Sequence, residues 1–122
     1  MSIYFSRATI ETADGILKIS GTDTDIIIKA ADILYIESFN KTIVIHTAET
    51  LYMIKAKISE LYETLQQYGF VQIHKSYIVN LHHIKSMKNY IVTLYNGKQL
   101  HTSQRRWKHI KAIYNEKNTV CR

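Results

Sequence analysis

Ser103-Gln104-Arg105-Arg106 packs two guanidinium forks and an amide into four consecutive residues, with Lys108, His109 and Lys111 close behind. Side chains of this kind offer paired hydrogen-bond donors to planar acceptors and positive charge to anions. His74-Lys75-Ser76 interrupts the otherwise apolar stretch from Phe70 to Ile84, and Asn40-Lys41-Thr42 stands between two apolar runs. An arginine fork matches O6 and N7 of guanine, an amide matches adenine, and a lysine reaches either a base or a phosphate. Reading a duplex needs both phosphate contacts for register and base-edge contacts for sequence, and these three segments supply groups for both. Taken singly, each has a plainer account: a polar turn at Asn40–Thr42, a strand end whose Lys75 points to water, and a solvated helix start at Ser103–Arg106.

Bond-making chemistry finds little support. The sequence has no G-x-S-x-G, no phosphate-binding glycine loop and no plausible Cys-His pair. Glu37 could act as a lone base, but beside Tyr35 and Ile36 it fits better as the anchor of a turn. The histidines at 46, 74, 82, 83, 101 and 109 invite a metal site, yet there is no HExxH and no paired cysteine. If they lie on a strand, the adjacent His82 and His83 point to opposite sides. No cofactor and no metal is expected. His74 and Asn80 are better placed for structural hydrogen bonds, Asn80 among Tyr77, Ile78, Val79 and Leu81, which look buried.

At 122 residues the chain is the size of one domain, with enough length to bury a core without staples. Sixteen Lys and Arg against ten Asp and Glu leave a formal charge of +6, which favours a polyanionic partner: nucleic acid, an anionic membrane surface or an acidic protein. The acids Glu11, Asp14, Asp23, Asp25, Asp32 and Glu37 dominate the first third while the bases concentrate after Lys41, so one flank is expected to carry the positive field. Cys121 stands alone next to the C-terminus, which precludes an internal disulfide and favours a reducing compartment. The N-terminus has no signal-peptide pattern, and no apolar run approaches the ~20 residues that span a bilayer. A soluble cytoplasmic protein is expected.

Short strands should position the three segments. Ile16–Ser20, Ile26–Ile28, Ile33–Ile36, Ile43–His46 and Leu51–Ile54 are β-branched and aromatic runs between polar turns, those at Gly21 and at Thr47–Thr50 among them. Ile54, Ile58, Leu61, Leu65 and Tyr68 recur at helical steps ahead of Gly69, which predicts an amphipathic helix over 56–68 with a glycine cap and its apolar stripe in the core. Asn96-Gly97 within Tyr90–His101 predicts a hairpin closed by a type I′ turn. Ser103 is suited to N-cap a last helix running through Trp107, Ile110, Ile113 and Tyr114. Arg105 and Arg106 then meet the positive end of a helix dipole, an unfavourable placement that an external anion, or water, compensates.

Ile33-Leu34-Tyr35-Ile36-Glu37-Ser38, the stretch from Phe70 to Ile84, and Ser103-Gln104-Arg105-Arg106 resemble, in order and spacing, the LytTR family of bacterial DNA-binding domains. The resemblance covers about 16–114 of a single domain spanning 1–122. It implies a mostly β fold with one or two short helices, in which stacked small antiparallel sheets present loops on one edge to successive major grooves. Carried over, the contact residues become Asn40, Lys41, Thr42, Lys75, Gln104 and Arg105, with His74, Ser103, Arg106 and Lys108 beside them. It further implies double-stranded DNA with paired direct repeats as partner, two copies bound as a homodimer, and an N-terminal receiver domain or a separate regulatory partner. The chain departs from the family in having Lys75 where Arg is commoner, and Gln104 where Arg often follows the serine. Lysine does not replace a bidentate arginine, so Lys75 can serve a phosphate rather than a base. The rival is a basic protein-interaction or anionic-surface module without sequence readout; RNA fits less well, because the aromatic residues form no stacking platform.

Overall fold

In the computed structural model, residues 2–120 are described, with side chains through Glu116; Cys121 lies outside them. Three sheets and two helices are stacked in layers. The central sheet has six strands in the order β1 (Ser2–Phe5), β7 (Leu51–Lys55), β6 (Thr42–Thr47), β5 (Ile33–Phe39), β9 (Tyr77–Asn80) and β8 (Phe70–His74). Neighbours in it run antiparallel except β1, which pairs parallel with β7. A meander of β2 (Ala8–Ala13), β3 (Ile16–Gly21) and β4 (Asp25–Lys29) and a second one of β10 (Ile84–Lys88), β11 (Ile91–Leu94) and β12 (Gln99–His101) complete the sheets. Helix α1 spans Ile58–Leu65 and α2 spans Gln104–Val120.

Alternation along the central strands divides the apolar residues between two cores. Ile36, Ile43, Ile45, Ile54, Phe70 and Ile78 meet β3, β4 and α1 in one core. Tyr35, Val71, Ile73 and Val79 meet Met87, Val92, Leu94, Leu100 and Ile110 in the other. The expected mostly β architecture of small stacked sheets is therefore present, although the central sheet is mixed and larger than a short meander.

Helix α1 is shorter than 56–68. A 3-10 turn over Gln66–Tyr68 continues it, and Gly69, at φ +86°, provides the left-handed cap expected of that glycine. Asn80 is almost fully buried; its Nδ2 donates to the carbonyls of Ile33 at 3.0 Å and Ala30 at 3.4 Å, and its Oδ1 accepts the amide of His82. Four expectations need correction. Glu37 lies within β5 and not in a turn, because it pairs with Val44 of β6 and with Tyr77 of β9. His82 and His83 occupy a 3-10 turn, Leu81–His83, started by the Asn80 cap, so they do not alternate across a strand. The Asn96-Gly97 hairpin exists, but Leu94 pairs with Lys98, leaving a three-residue loop in which Gly97 alone has positive φ. That is a type I turn followed by a left-handed glycine. The fourth is Ser103, whose buried hydroxyl makes no cap to the last helix.

Candidate nucleic-acid interface

True type I′ turns occur elsewhere. Phe39 pairs with Thr42, and the two residues between them, Asn40 and Lys41, have φ values of +50° and +60°. Lys88 pairs with Ile91 across Asn89 and Tyr90, at +52° and +65°. Ala13 pairs with Ile16 across Asp14 and Gly15, again both positive. The second central position of such a turn favours glycine, because a Cβ there crowds the following carbonyl. Only the Asp14-Gly15 turn conforms. Lysine and tyrosine occupy that position in the other two; the first of these turns is itself one of the three segments singled out from the sequence, and the second is bonded through Tyr90 to Thr102, beside the third.

Lys41 is exposed at the tip of the β5–β6 hairpin, with Asn40 beside it and Thr42 half-buried. One strand pair away, Lys75 and Ser76 form the turn between β8 and β9. The Ser38 amide donates to the Ser76 carbonyl at 2.9 Å, so the two tips are joined by backbone. His74 Nδ1 accepts the Ser76 amide at 3.1 Å, which leaves Nε2 to carry the ring proton, and Gln72 Nε2 donates to the Lys75 carbonyl at 3.4 Å. These two bonds hold the turn while the Lys75 side chain stays exposed.

The third segment is tied to the second. Ser103 donates its amide to the Ile73 carbonyl at 2.9 Å, and its own carbonyl accepts the amides of Arg106 and Trp107 as α2 begins. Ser103 thus occupies the N-cap position, but its Oγ is buried and has no hydrogen-bond partner, so the expected side-chain cap is not made. The tie to Ile73 fixes the residue with its hydroxyl turned inward. The first turn of α2 contains no acidic residue. Gln104, Arg105 and Lys108 are exposed and Arg106 is half-buried, so cationic groups crowd the positive end of the helix dipole.

Tyr90 anchors that helix start. Its carbonyl accepts the Thr102 amide at 2.8 Å, and its ring lies 5.3 Å from that of Trp107, above which Lys111 Nζ sits at 5.6 Å. Farther along α2, Tyr114 Oη donates to the Lys85 carbonyl. The apolar run from Tyr90 predicts a strand residue there, whereas Tyr90 lies in the turn that the preceding Asn89 signals.

Behind the tips, on one face of the central sheet, Tyr35, His46, Glu37 and Tyr77 form a polar cluster. His46 Nε2 lies 2.6 Å from Glu37 Oε1, and the His46 and Tyr35 rings stack with centroids 4.0 Å apart. Burial, followed by the nearby Glu37 carboxylate and Tyr77, pushes the Tyr35 hydroxyl up to about 12. Burial also lowers His46, outweighing the hydrogen bond that its ring donates to the Glu37 carboxylate, which favours the charged form. Glu37 is thus held by a partner within the sheet, which is the role it plays instead of a turn anchor.

All ten residues singled out from the sequence therefore lie on three segments joined in a row by backbone hydrogen bonds. None of them lines the open cavity of about 500 Å³ bounded by Ile27, Lys29, Asp32, Thr47, Glu49 and Tyr52. Among the described residues no three His, Cys, Asp or Glu side chains gather to hold a metal ion, and no helix is long and apolar enough to cross a membrane.

The family model of the LytTr DNA-binding domain matches residues 23–115, three-quarters of the chain. The chain belongs to the LytTR family. A solved LytTr DNA-binding domain, from a Bacillus cereus protein described as a methyl-accepting/DNA response regulator, has the same fold, with a TM-score of 0.68 over 84% of this chain and 97% of that one at 21% identity. No curated protein sequence matches. LytTR domains bind DNA and occur in response regulators. The family match begins within the β3–β4 turn, so β1, β2 and β3 of this LytTR chain lie before it.

Proposed function

We propose that this LytTR domain reads double-stranded DNA sequence as the output module of a bacterial transcription regulator, setting its three joined segments into successive major grooves on one side of the duplex. The observation that carries the proposal is the pair of backbone bonds, Ser38 to Ser76 and Ser103 to Ile73, which align the Asn40–Thr42 turn, Lys75 and the start of α2 on rigid elements. Arg105 and Gln104 read base edges, Asn40 and Lys41 contact a second groove, and Lys75 and Lys108 pair with phosphates. A phosphate is also an anion that would offset the positive charge at the arginine-rich start of α2. The domain carries out no reaction. Two copies bind direct repeats, and a receiver domain or a separate partner controls them in the cytoplasm.

Selection of duplexes from a random library at near-physiological salt, with heparin as competitor, tests this reading. It predicts enrichment of a repeated motif with half-sites one or two helical turns apart. Binding without enrichment, even for a fused dimer, would leave only charge attraction, as expected of a basic module that reads no sequence.

A further inference from the structure

Phe39 is 72% exposed, more than any other large hydrophobic side chain among the described residues. It immediately precedes the Asn40-Lys41 turn and pairs with Thr42. Strand alternation places it on the sheet face of Glu37, which in turn pairs with Tyr77. A bulky apolar group at the tip of a β-hairpin, flanked by an amide, a cation and a hydroxyl, gains nothing from water. Neither core receives it.

A two-stranded β-ribbon fits the major groove, where the only apolar feature on a base edge is the thymine C5 methyl group. We infer that Phe39 is a specificity-determining residue that packs against a thymine methyl in the groove entered by the Asn40-Lys41 turn. This rests on the DNA-reading function proposed above and adds to it a base identity that none of the polar residues supplies. Asn40 and Lys41 fix the depth of the tip by hydrogen bonds. Phe39 then distinguishes thymine from cytosine, which presents an amino group and no methyl at the corresponding edge.

The test uses the duplex enriched from the random library, resynthesised with each thymine replaced in turn by deoxyuridine, which removes only the methyl group. For the unaltered protein, one such replacement next to the groove occupied by the hairpin should weaken binding about fourfold, the worth of one buried methyl. Phe39→Ala should weaken binding to the thymine duplex by at least that factor and become indifferent to that replacement, while remaining sensitive to the others. Phe39→Leu should retain part of the discrimination. Equal sensitivity of wild type and Phe39→Ala at every position would overturn the inference. So would a loss in Phe39→Ala accompanied by a change from dimer to monomer without DNA, because Phe39 would then contact a second copy. Failure of the wild-type protein to enrich any sequence refutes the sequence-reading function itself, and this inference with it; enrichment followed by equal sensitivity refutes the Phe39 contact alone. Thermal melting of Phe39→Ala should be close to wild type, since so exposed a ring supports little of the fold.

Discussion

The Ser38 amide and the Ser76 carbonyl, 2.9 Å apart, join the tips of two hairpins although the two residues lie 38 positions apart in the chain. The bond lies just beyond the last paired residues of β5 and β9, Glu37 and Tyr77, so it extends the ladder to the edge of the sheet. Lys41 and Lys75 are consequently displayed from one rigid border and not from two independent loops. Preorganisation of this kind lowers the ordering cost of binding.

Arg105 and Lys108 should differ in how they fail. Arg105→Ala is expected to cost about 1–3 kcal/mol on the selected duplex and to relax preference at one base pair, as loss of a bidentate reader does. Lys108→Ala should weaken all duplexes alike and reduce the slope of log affinity against log salt by about one unit, the effect of one phosphate contact. Titration of both variants against the selected and a scrambled duplex at several salt concentrations distinguishes them. Uniform weakening by Arg105→Ala would make it a phosphate contact.

Asn80 holds together elements that lie far apart in sequence, and its loss should be felt as stability. Asn80→Ala leaves the Ile33 and Ala30 carbonyls and the His82 amide without this partner in a buried region. The expected cost is about 1–3 kcal/mol, or more where several of these groups stay dry. Urea denaturation measures it. A midpoint within error of wild type would mean that water replaces the side chain.

How far the chain was legible follows from where each signal resides. Local period and cap chemistry sufficed for α1, for its Gly69 cap and for the central β-branched strands. β2, Ala-Thr-Ile-Glu-Thr-Ala, was missed because alternate residues face water and no apolar run marks it. β1 gains its place only by pairing parallel with β7, nearly fifty residues away, which no local pattern announces. The polar residues of the candidate site stand out in the sequence because charge interrupting an apolar segment is conspicuous. Phe39 and Tyr90 were not, since exposure of an aromatic residue and a left-handed backbone become evident only in the folded chain. The Asn96-Gly97 error has the same origin: loop length was set by the Leu94–Lys98 pairing, not by the dipeptide.

His46 should make stability fall in mild acid. Its pKa is lowered in the fold from the ordinary 6.5, first by burial. The unfolded chain therefore binds a proton before the folded one does. The contribution is complete above pH 6.5, declines as the pH drops below it towards the lowered folded value, and is constant beneath that. Other histidines titrate nearby, so the comparison is with His46→Gln. Between about pH 7.5 and about pH 5.5, wild type should lose more of its urea midpoint than the variant. Equal losses would show that the Glu37 hydrogen bond cancels the burial of His46.

Lys41 offers the clearest opposition between stability and binding. Its φ of +60° places a lysine where a type I′ turn favours glycine, whereas the Asp14-Gly15 turn, remote from the edge, follows the rule. A non-glycine residue in this conformation is strained by roughly 1–2 kcal/mol, part of which glycine returns as unfolded-state entropy. Lys41→Gly should thus raise stability by up to about 1 kcal/mol. The same change removes a cation from the hairpin tip, so affinity for the selected duplex should fall and its salt dependence flatten by about one unit. A more stable variant that binds less well would mark the strain as retained for contact with DNA. Stabilisation with unchanged binding would take Lys41 out of the interface and leave Asn40 and Phe39 as the side chains by which that hairpin meets the groove.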